Sequence, residues 1–431
     1  MQRFGGFALV LVLAGGWIAP PVVRAQGTGT AATTLDSTMA ADTADSVAAE
    51  PSDTGTVAPS DTGTVAPSDT GAVAETPAAA AAPPEEQARK SLAISGYVTG
   101  GYTYSTANVG NSIVGRLYDR FHDEIQLDAA KVVVEMPVAT DKVDAGARVD
   151  LLLGQNAAVI KSAGLNLGDN ADVTQAFATL NVPAGEGKYV QFKAGKIATL
   201  MGLEVIEDVV NPNLSEGNQF IYVENFTATG LRVDVKPAAV VDFQLQVFNG
   251  WDVVEDNNSR LSFMSRVGFT PTSTTTVGLL GFFGPEQSGN DDDDRYGAEI
   301  LVSQKLAGGR AAVYFQGDYG QEQNLVGPGE NAEWWAAGLW ATYDIAPVVG
   351  IALRGDYVDD RDGARTSGIL GFPSNARHKF GSGTATLNIR VFPGALIRPE
   401  IRYDRSNLPV YDDEEPSQNQ VSFALGASYI F

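Results

Sequence analysis

The sequence predicts an all-β fold, a transmembrane antiparallel β-barrel of about sixteen strands that follows a disordered N-terminal extension. Two observations predict the barrel. From residue 91 onward, segments of roughly ten to sixteen residues alternate apolar and polar side chains, and short links alternate with longer ones. A third observation excludes the other membrane fold, because no segment beyond the N-terminus is apolar for the roughly 20 residues that a membrane-spanning helix needs.

Two segments precede the barrel. Residues 1–25 are predicted to be a secretory signal peptide, with Arg3 ahead of a short apolar core at 7–14; a retained inner-membrane anchor is the alternative. Residues 26–90 contain an eight-residue repeat, PSDTGTVA, and no aromatic residue, so they cannot bury enough apolar surface to offset the loss of chain entropy. We expect a disordered periplasmic linker there, either a tether or a segment without a specific partner.

The barrel is predicted to occupy residues 91–431. Its alternating segments lie at roughly 92–106, 121–136, 142–154, 172–182, 188–197, 222–236, 239–253, 260–270, 273–284, 295–306, 309–320, 332–345, 347–359, 378–392, 395–405 and 418–431. Every second link is short and marked by Pro or Gly, and most of the others are longer and more polar. Outer-membrane barrels have short periplasmic turns, longer outer loops and an even number of strands. The pattern therefore predicts an outer-membrane location with both chain ends in the periplasm.

The composition argues against several functions. The chain of 431 residues has no cysteine and a net charge of −23, which disfavour thiol chemistry and nucleic-acid binding. Its two histidines, His122 and His378, lie near no nucleophile motif, and phosphate-loop and zinc-protease patterns are absent. We therefore expect no enzymatic activity, no cofactor and no metal. A lipase that uses His378 near the outer rim is the remaining catalytic alternative.

The last strand has two different faces. One face carries apolar and aromatic side chains and the other carries small or polar ones, so the first suits lipid and the second a lumen. The chain ends on the apolar face, with Tyr429 and Phe431. This ending resembles the C-terminal signal of outer-membrane barrels, which implies outer-membrane lipid and the barrel-insertion machinery as partners.

Charged pairs recur on the polar face of several strands. In each pair an arginine precedes a carboxylate by two residues, which puts both side chains on one face. The pairs are Arg148/Asp150, Arg232/Asp234, Arg354/Asp356, Arg398/Glu400 and Arg402/Asp404, and the single residues Arg266 and Arg390 share this face. Because an arginine in mid-bilayer costs about 2–4 kcal/mol on the lipid side, we expect these residues to line the lumen. They either orient solutes or form a salt-bridge lattice that stiffens the wall.

The third long link, 198–221, is both apolar and acidic. Its acidic residues are Glu204, Glu207, Asp208 and Glu216, interspersed with Leu203, Ile206 and Val210. Folding into the barrel would bury the apolar side chains and narrow the lumen. A sixteen-stranded barrel with such a link resembles general porins, whose third loop sets acidic groups against wall arginines. The resemblance implies that Glu204, Glu207 and Asp208 face arginines drawn from Arg354, Arg390, Arg398 and Arg402. The alternative is a loop that packs on the rim or at a subunit contact.

Six short motifs follow one another along the barrel. They are ISGYV from Ile94, QAF from Gln175, GK from Gly195, MGLEV from Met201, TGL from Thr229 and NGWD from Asn249. In this order they resemble the family of OmpL-like outer-membrane β-barrel porins, over most of residues 92–431 and none of the linker. The resemblance implies an outer-membrane channel and carries over no catalytic or binding residues.

These observations predict a porin that allows passive diffusion of small polar solutes or ions through a charged lumen. Acidic runs in the long links, such as 291–294, add a mouth that concentrates cations. A plugged structural or adhesive barrel and a substrate-specific channel are the alternatives. The sequence leaves both a monomer and a homotrimer open, because lipid-facing and subunit-facing strands have the same pattern.

Overall fold

Sixteen antiparallel strands close into a barrel, in which each strand pairs with its neighbours in sequence and β1 pairs with β16. This computed structural model describes residues 90–367 and 376–431. The signal peptide predicted for 1–25 and nearly all of the linker predicted for 26–90 lie outside the described residues.

The predicted number of strands is confirmed, and most of their ends agree within a few residues. The strands are β1 (Ala93–Ser105), β2 (Glu124–Met136), β3 (Asp144–Leu153), β4 (Ala171–Pro183), β5 (Tyr189–Ala198), β6 (Thr227–Ala238), β7 (Val241–Phe248), β8 (Ser262–Thr272), β9 (Thr275–Pro285), β10 (Asp294–Leu306), β11 (Ala311–Gly327), β12 (Glu330–Ala346), β13 (Val349–Asp360), β14 (His378–Phe392), β15 (Ala395–Ser406) and β16 (Asn419–Ile430). Within 90–367 and 376–431, two short α-helices lie between strands, α1 (Gln155–Ile160) and α2 (Asn218–Tyr222). Strand β6 starts later than predicted because the link before it extends to residue 226, beyond the end of α2 at Tyr222.

The links at the two ends of the barrel differ in length. At one end, which we call the turn end, they run from two residues at 239–240 to seven at 137–143. At the other end, the loop end, the links that matter below are loop 1 (106–123), loop 3 (199–226) and loop 8 (407–418). The links at the loop end are longer than those at the turn end, except for the sixth, where β11 and β12 are joined by a tight turn at 328–329.

The two faces of the wall differ as a membrane barrel requires. Leu339, Leu353 and Leu425 point outward with 46–53% of their surface exposed, and they alternate with buried residues. The inward positions are polar, so the outer face can meet lipid while the inner face meets water or other polar groups. No helix among the described residues is both long enough and apolar enough to cross a membrane.

Apolar packing inside the barrel comes from the loops. One cluster joins Leu117 and Tyr118 of loop 1, Ile160 of α1, and Ile206 and Val209 of loop 3. A second cluster gathers buried residues of loops 1, 3 and 8 against the inner wall of β12 to β14; it includes Val114, Tyr222, Trp334, Phe380 and Tyr411. Three loops that are far apart in sequence therefore fold inward and pack together.

Candidate functional site

Loop 3 lies inside the barrel and is anchored through Glu204. The Oε1 atom of Glu204 accepts hydrogen bonds from Arg354 Nη1 at 2.9 Å and from Trp340 Nε1 at 3.0 Å. Its Oε2 atom accepts the backbone N–H of Gly217 at 2.5 Å, which ties the two halves of the loop together. With 1% of its surface exposed, Glu204 joins the loop to strands β12 and β13.

The neighbouring acidic residues reach other parts of the wall. Glu207 forms an ion pair with Lys131 of β2, whose ammonium also lies 2.9 Å from Asp150. Asp208 lies 3.5 Å from Arg398 Nη2, and Arg398 Nη1 donates to the carbonyl of Asp208 at 2.8 Å. The structure thus brings Glu204 and Asp208 to two of the predicted arginines, whereas Glu207 is bound by a lysine.

The charged pairs of β13 and β15 bind the backbone and amides of loop 3. Glu400 accepts the N–H groups of Leu214 at 2.7 Å and of Ser215 at 3.1 Å. Arg402 Nη1 donates to the carbonyl of Glu216 at 2.6 Å, while its Nε binds Asp404 at 2.8 Å.

Asp356 completes this set from β13. Its Oδ1 atom accepts the side-chain amide of Asn218 at 2.5 Å, and its Oδ2 atom lies 3.0 Å from Arg354 Nε. All three predicted pairs on β13 and β15 therefore bind loop 3, and their contacts converge on Ser215.

Three wall residues that the sequence reasoning missed hold the opposite side of the loop. Glu299 accepts the N–H of Gly202 at 2.6 Å, Gln316 accepts the N–H of Leu203 at 2.9 Å, and Asp318 accepts the side-chain amide of Gln219 at 2.5 Å. They lie on β10 and β11, at positions that alternate with apolar residues. This alternation is visible in the sequence and assigns them to the lumen face. They were not selected as candidates because none of them belongs to an arginine–carboxylate pair.

The remaining predicted pairs, and the single residue Arg266, lie on an arc of wall from β3 to β8. Arg148 binds Asp150 at 2.7 Å, Arg232 binds Asp234 at 2.6 Å, and Arg266 binds Asp242 at 3.0 Å. Lys193 also binds Asp234, at 2.8 Å. The side chains of Arg148 and Lys193 keep 15% and 10% exposure, so this arc keeps some contact with lumen water.

Arg390 does not join the acidic residues of loop 3, contrary to the expectation. Both of its terminal nitrogens lie 3.1 Å from Asp344 Oδ1, near the turn end of the barrel. The prediction could not separate Arg390 from the other arginines, because parity assigns a face but not a height along the barrel axis.

Burial acts on the pKa of two acidic residues in loop 3. It raises the pKa of Glu216 well above its usual range, and the nearby carboxylates of Asp119 and Asp208 act in the same direction. The pKa of Glu224 is raised in the same way by burial and by Glu299. The loop has five acidic residues and no Lys or Arg, so the raised pKa of these two favours a smaller negative charge than the formal one.

The predicted C-terminal signal lies on the outer face. Tyr429 and Phe431 are about half exposed, at 51% and 46%, and the backbone of Phe431 exchanges hydrogen bonds with Gly96 at 3.0 Å. These contacts help to close β16 onto β1. No cluster of three or more metal-ligating side chains that could hold an ion occurs in the described parts of the chain.

A closed sixteen-stranded barrel with a polar interior and a loop folded into its lumen defines the porin class of outer-membrane channel proteins. The chain belongs to the family described as "Putative beta-barrel porin-2, OmpL-like", whose model matches residues 91–431. Members of this family and the similar solved structures are channels rather than enzymes.

The solved structures that share the fold do so at low sequence identity, as three of them illustrate. The outer membrane channel DcaP of Acinetobacter baumannii is 14% identical with a TM-score of 0.54, covering 80% of this chain and 99% of that one. The anion-selective porin from Comamonas acidovorans is 10% identical with a TM-score of 0.54, covering 80% and 100%. The trimer form of OmpT of Vibrio cholerae is 12% identical with a TM-score of 0.53, covering 79% and 99%. No curated protein sequence matches the chain.

Proposed function

We propose that this protein is an outer-membrane porin through which small polar solutes or ions diffuse passively. The observation that carries the proposal is loop 3, which wall residues hold across the lumen of a closed barrel and which thereby narrows the path. The short turns of the barrel and both ends of the chain face the periplasm, as in other outer-membrane barrels. Diffusion of this kind requires no cofactor.

The interior charges divide into two groups with different roles. Side chains of Arg354, Arg398 and Arg402 have no exposed surface, so they position loop 3 and do not contact solutes. Arg148 and Lys193, on the arc from β3 to β8, keep residual exposure, as does Arg390 near the turn end. We infer that solutes pass between this arc and loop 3, and that these cations act on passing ions.

The partners follow from the fold and the C-terminal strand. Outer-membrane lipid covers the apolar outer face, and the aromatic end at Tyr429 and Phe431 serves recognition by the insertion machinery. The similar OmpT structure is described as a trimer form, which supports a homotrimer for this chain.

We also infer that the protein has no lipase activity. His378 Nδ1 is hydrogen-bonded to the hydroxyl of Thr366, which donates to Asp360 at 2.8 Å. Neither His378 nor Thr366 has exposed surface, so a substrate on the outer face does not reach them. Phospholipid hydrolysis by the purified protein would contradict this inference.

A plugged barrel, whose lumen is blocked, is the second candidate, and one observation favours it. Loop 3 bonds to strands on several sides of the barrel, and its contact residues Glu204, Asn213 and Ser215 have at most 1% exposed surface. Loops 1 and 8 add apolar packing above it. If no continuous path remains, the barrel inserts in membranes without conducting.

Single-channel recording in a planar bilayer under a salt gradient separates the two candidates. We expect discrete openings. Stable insertion without conductance would contradict the porin function and favour the plugged barrel.

A triple variant tests the role of loop 3 in the same recording. The substitutions Glu204→Ala, Glu207→Ala and Asp208→Ala leave Arg354, Lys131 and Arg398 without their carboxylate partners in loop 3. We expect a higher conductance and a reversal potential shifted toward anions. The matched control removes three exposed carboxylates at the loop end, by Asp413→Ala, Glu414→Ala and Glu415→Ala, and leaves the conductance unchanged. Equal effects of the two triple variants would show that loop 3 is not the constriction.

A further inference from the structure

A recess with an unusual charge lies in the lumen at the turn end of the barrel. Lys305, Arg310, Asp344, Asn388 and Arg390 line it, and we call it the basic recess. Its enclosed volume is about 20 Å³, room for about one water molecule, so a larger ligand occupies its open mouth. In a chain of net charge −23, a recess with three basic side chains and one carboxylate has the opposite sign to the molecule as a whole.

Two of the three cations also have structural roles. Arg390 binds Asp344, as described above, and Arg310 Nη2 donates to the carbonyl of Asp344 at 3.0 Å while its guanidinium lies 5.3 Å from the centre of the Tyr343 ring. These contacts hold the turn between β12 and β13. They leave the Nε and Nη1 atoms of Arg310 available to another acceptor.

Lys305 has no such role. Its side chain points inward from β10 beside the other two, and its ammonium has no hydrogen-bond or ion-pair partner among the described residues. A half-buried ammonium beside two guanidinium groups is costly unless an anion is present, because like charges repel and only one carboxylate offsets them. The recess therefore has a net charge of about +2, and its unpaired donors face one space.

The roof of the recess is loop 3. The side-chain amide of Asn388 donates to the carbonyl of Pro212 at 3.0 Å, which places the loop directly over the recess. Because loop 3 contains acidic residues and no cations, an anion is more stable in the recess than beside the loop. Lys305, Asn388 and Arg390 have lumen parity, whereas Arg310 is exposed at the turn and donates to the hydroxyl of the outward-facing Tyr343 at 3.3 Å. Lys305 is therefore the ligand that distinguishes a free anion in the lumen from a lipid headgroup on the outer face.

We propose that the basic recess is a binding site for a small free anion, one that offers carboxylate or phosphate oxygens to Lys305 and Arg310. Charge-assisted hydrogen bonds from an ammonium and a guanidinium suit these oxygens. The proposal rests on the proposed function only for its access route, since an anion reaches the recess through the water of the lumen. In a working porin the site concentrates anions on the turn side of loop 3.

Inorganic phosphate is the probe for the test. Purified, folded full-length protein in detergent is titrated at low salt, and binding is followed by the phosphorus NMR line width and by calorimetry. We expect saturable binding that weakens about tenfold in Lys305→Gln and in Arg310→Gln, as the loss of one charge-assisted contact implies. The matched control is Lys188→Gln, which removes an exposed lysine from another link at the turn end and should leave the affinity unchanged.

Each outcome decides the proposal. Absence of saturable binding, or equal affinities for the wild type and Lys305→Gln, would overturn it. Lys305→Gln keeps the contacts of Arg310 and Arg390 at the turn, so heat-modifiable migration on gels should show a folded barrel. Binding without channel openings would remove only the proposed pore function, and openings without binding would remove only the anion site.

Discussion

Arg354 illustrates how a single interior residue works in this barrel. Its guanidinium binds Glu204 and the carbonyl of Ser215 in loop 3 through Nη1, and Thr384 on the wall through Nη2 at 3.0 Å. A buried charge with these partners is costly to break, because removal of one member leaves another unpaired in a low dielectric. Such a residue holds the loop in place and, with no exposed side-chain surface, does not contact a passing solute.

The substitution Arg354→Met tests this role. We expect the free energy of unfolding to fall by about 3–5 kcal/mol, since Glu204 and Asp356 lose a buried partner. Urea unfolding in lipid vesicles measures the change. The matched control is Arg361→Met, which breaks an ion pair with Glu333 that is 44% exposed on the arginine side and should cost less than about 1 kcal/mol. Similar losses in the two variants would show that Arg354 does not anchor the loop.

At the scale of elements, the loops are fastened to one another as well as to the wall. Glu286, just after β9, accepts the N–H of Trp251 and the hydroxyl of Ser262, each at 2.7 Å. Arg365 lies over the same Trp251 ring, 5.3 Å from its centre, and donates to the carbonyl of Tyr222 in loop 3 at 2.7 Å. This chain of contacts links the loop after β7 to loop 3 through buried side chains.

The Glu286 contact gives a pH-dependent stability. Burial raises the pKa of Glu286 to about 7 from 4.5. Between pH 4.5 and about pH 7, Glu286 keeps a proton in the folded protein that it has released in the unfolded chain. The contribution of Glu286 to stability is therefore present at low pH and is lost as the pH rises toward about 7. From about pH 5 to about pH 8 we expect the melting temperature of the wild type to fall by about 2–4 °C more than that of Glu286→Gln.

The comparison needs a control for general effects of charge. Glu255→Gln removes an exposed carboxylate from the preceding loop and should follow the wild-type pH profile. A wild-type profile that matched Glu286→Gln would show that Glu286 is ionised in the folded state throughout the range.

The elements differ in how far the sequence could predict them. Alternation of side chains and the short links determine the strands, because both signals are local, and all sixteen strands are found. The inward folding of loops 1 and 8 was not predicted, since Val114 and Tyr411 become apolar packing residues only through contacts across the lumen. Lys131 was missed for the same reason: its partner Glu207 lies 76 residues away.

The interior of the barrel is a fixed assembly of loops that are bonded to the wall on several sides. Loop 3 reaches the wall on β2, β10, β11, β13 and β15. An element held from so many directions has few ways to move without breaking buried bonds, and each such break is costly. We therefore expect a static constriction and not a gate, so that conduction does not require loop 3 to leave the lumen.

A disulfide between loop 3 and the wall distinguishes the static constriction from a gate. A Cβ atom built on Gly426 of β16 would lie 3.5 Å from Leu214 Cγ, so the pair Leu214→Cys and Gly426→Cys is close enough to bridge. The chain has no other cysteine, so no competing disulfide forms. The double variant is recorded as single channels in its oxidised and reduced states, with each single variant as control. We expect the same conductance in both redox states, because the disulfide fixes a loop that is already immobile. A conductance that disappears on oxidation and returns on reduction would show that loop 3 moves to open the path.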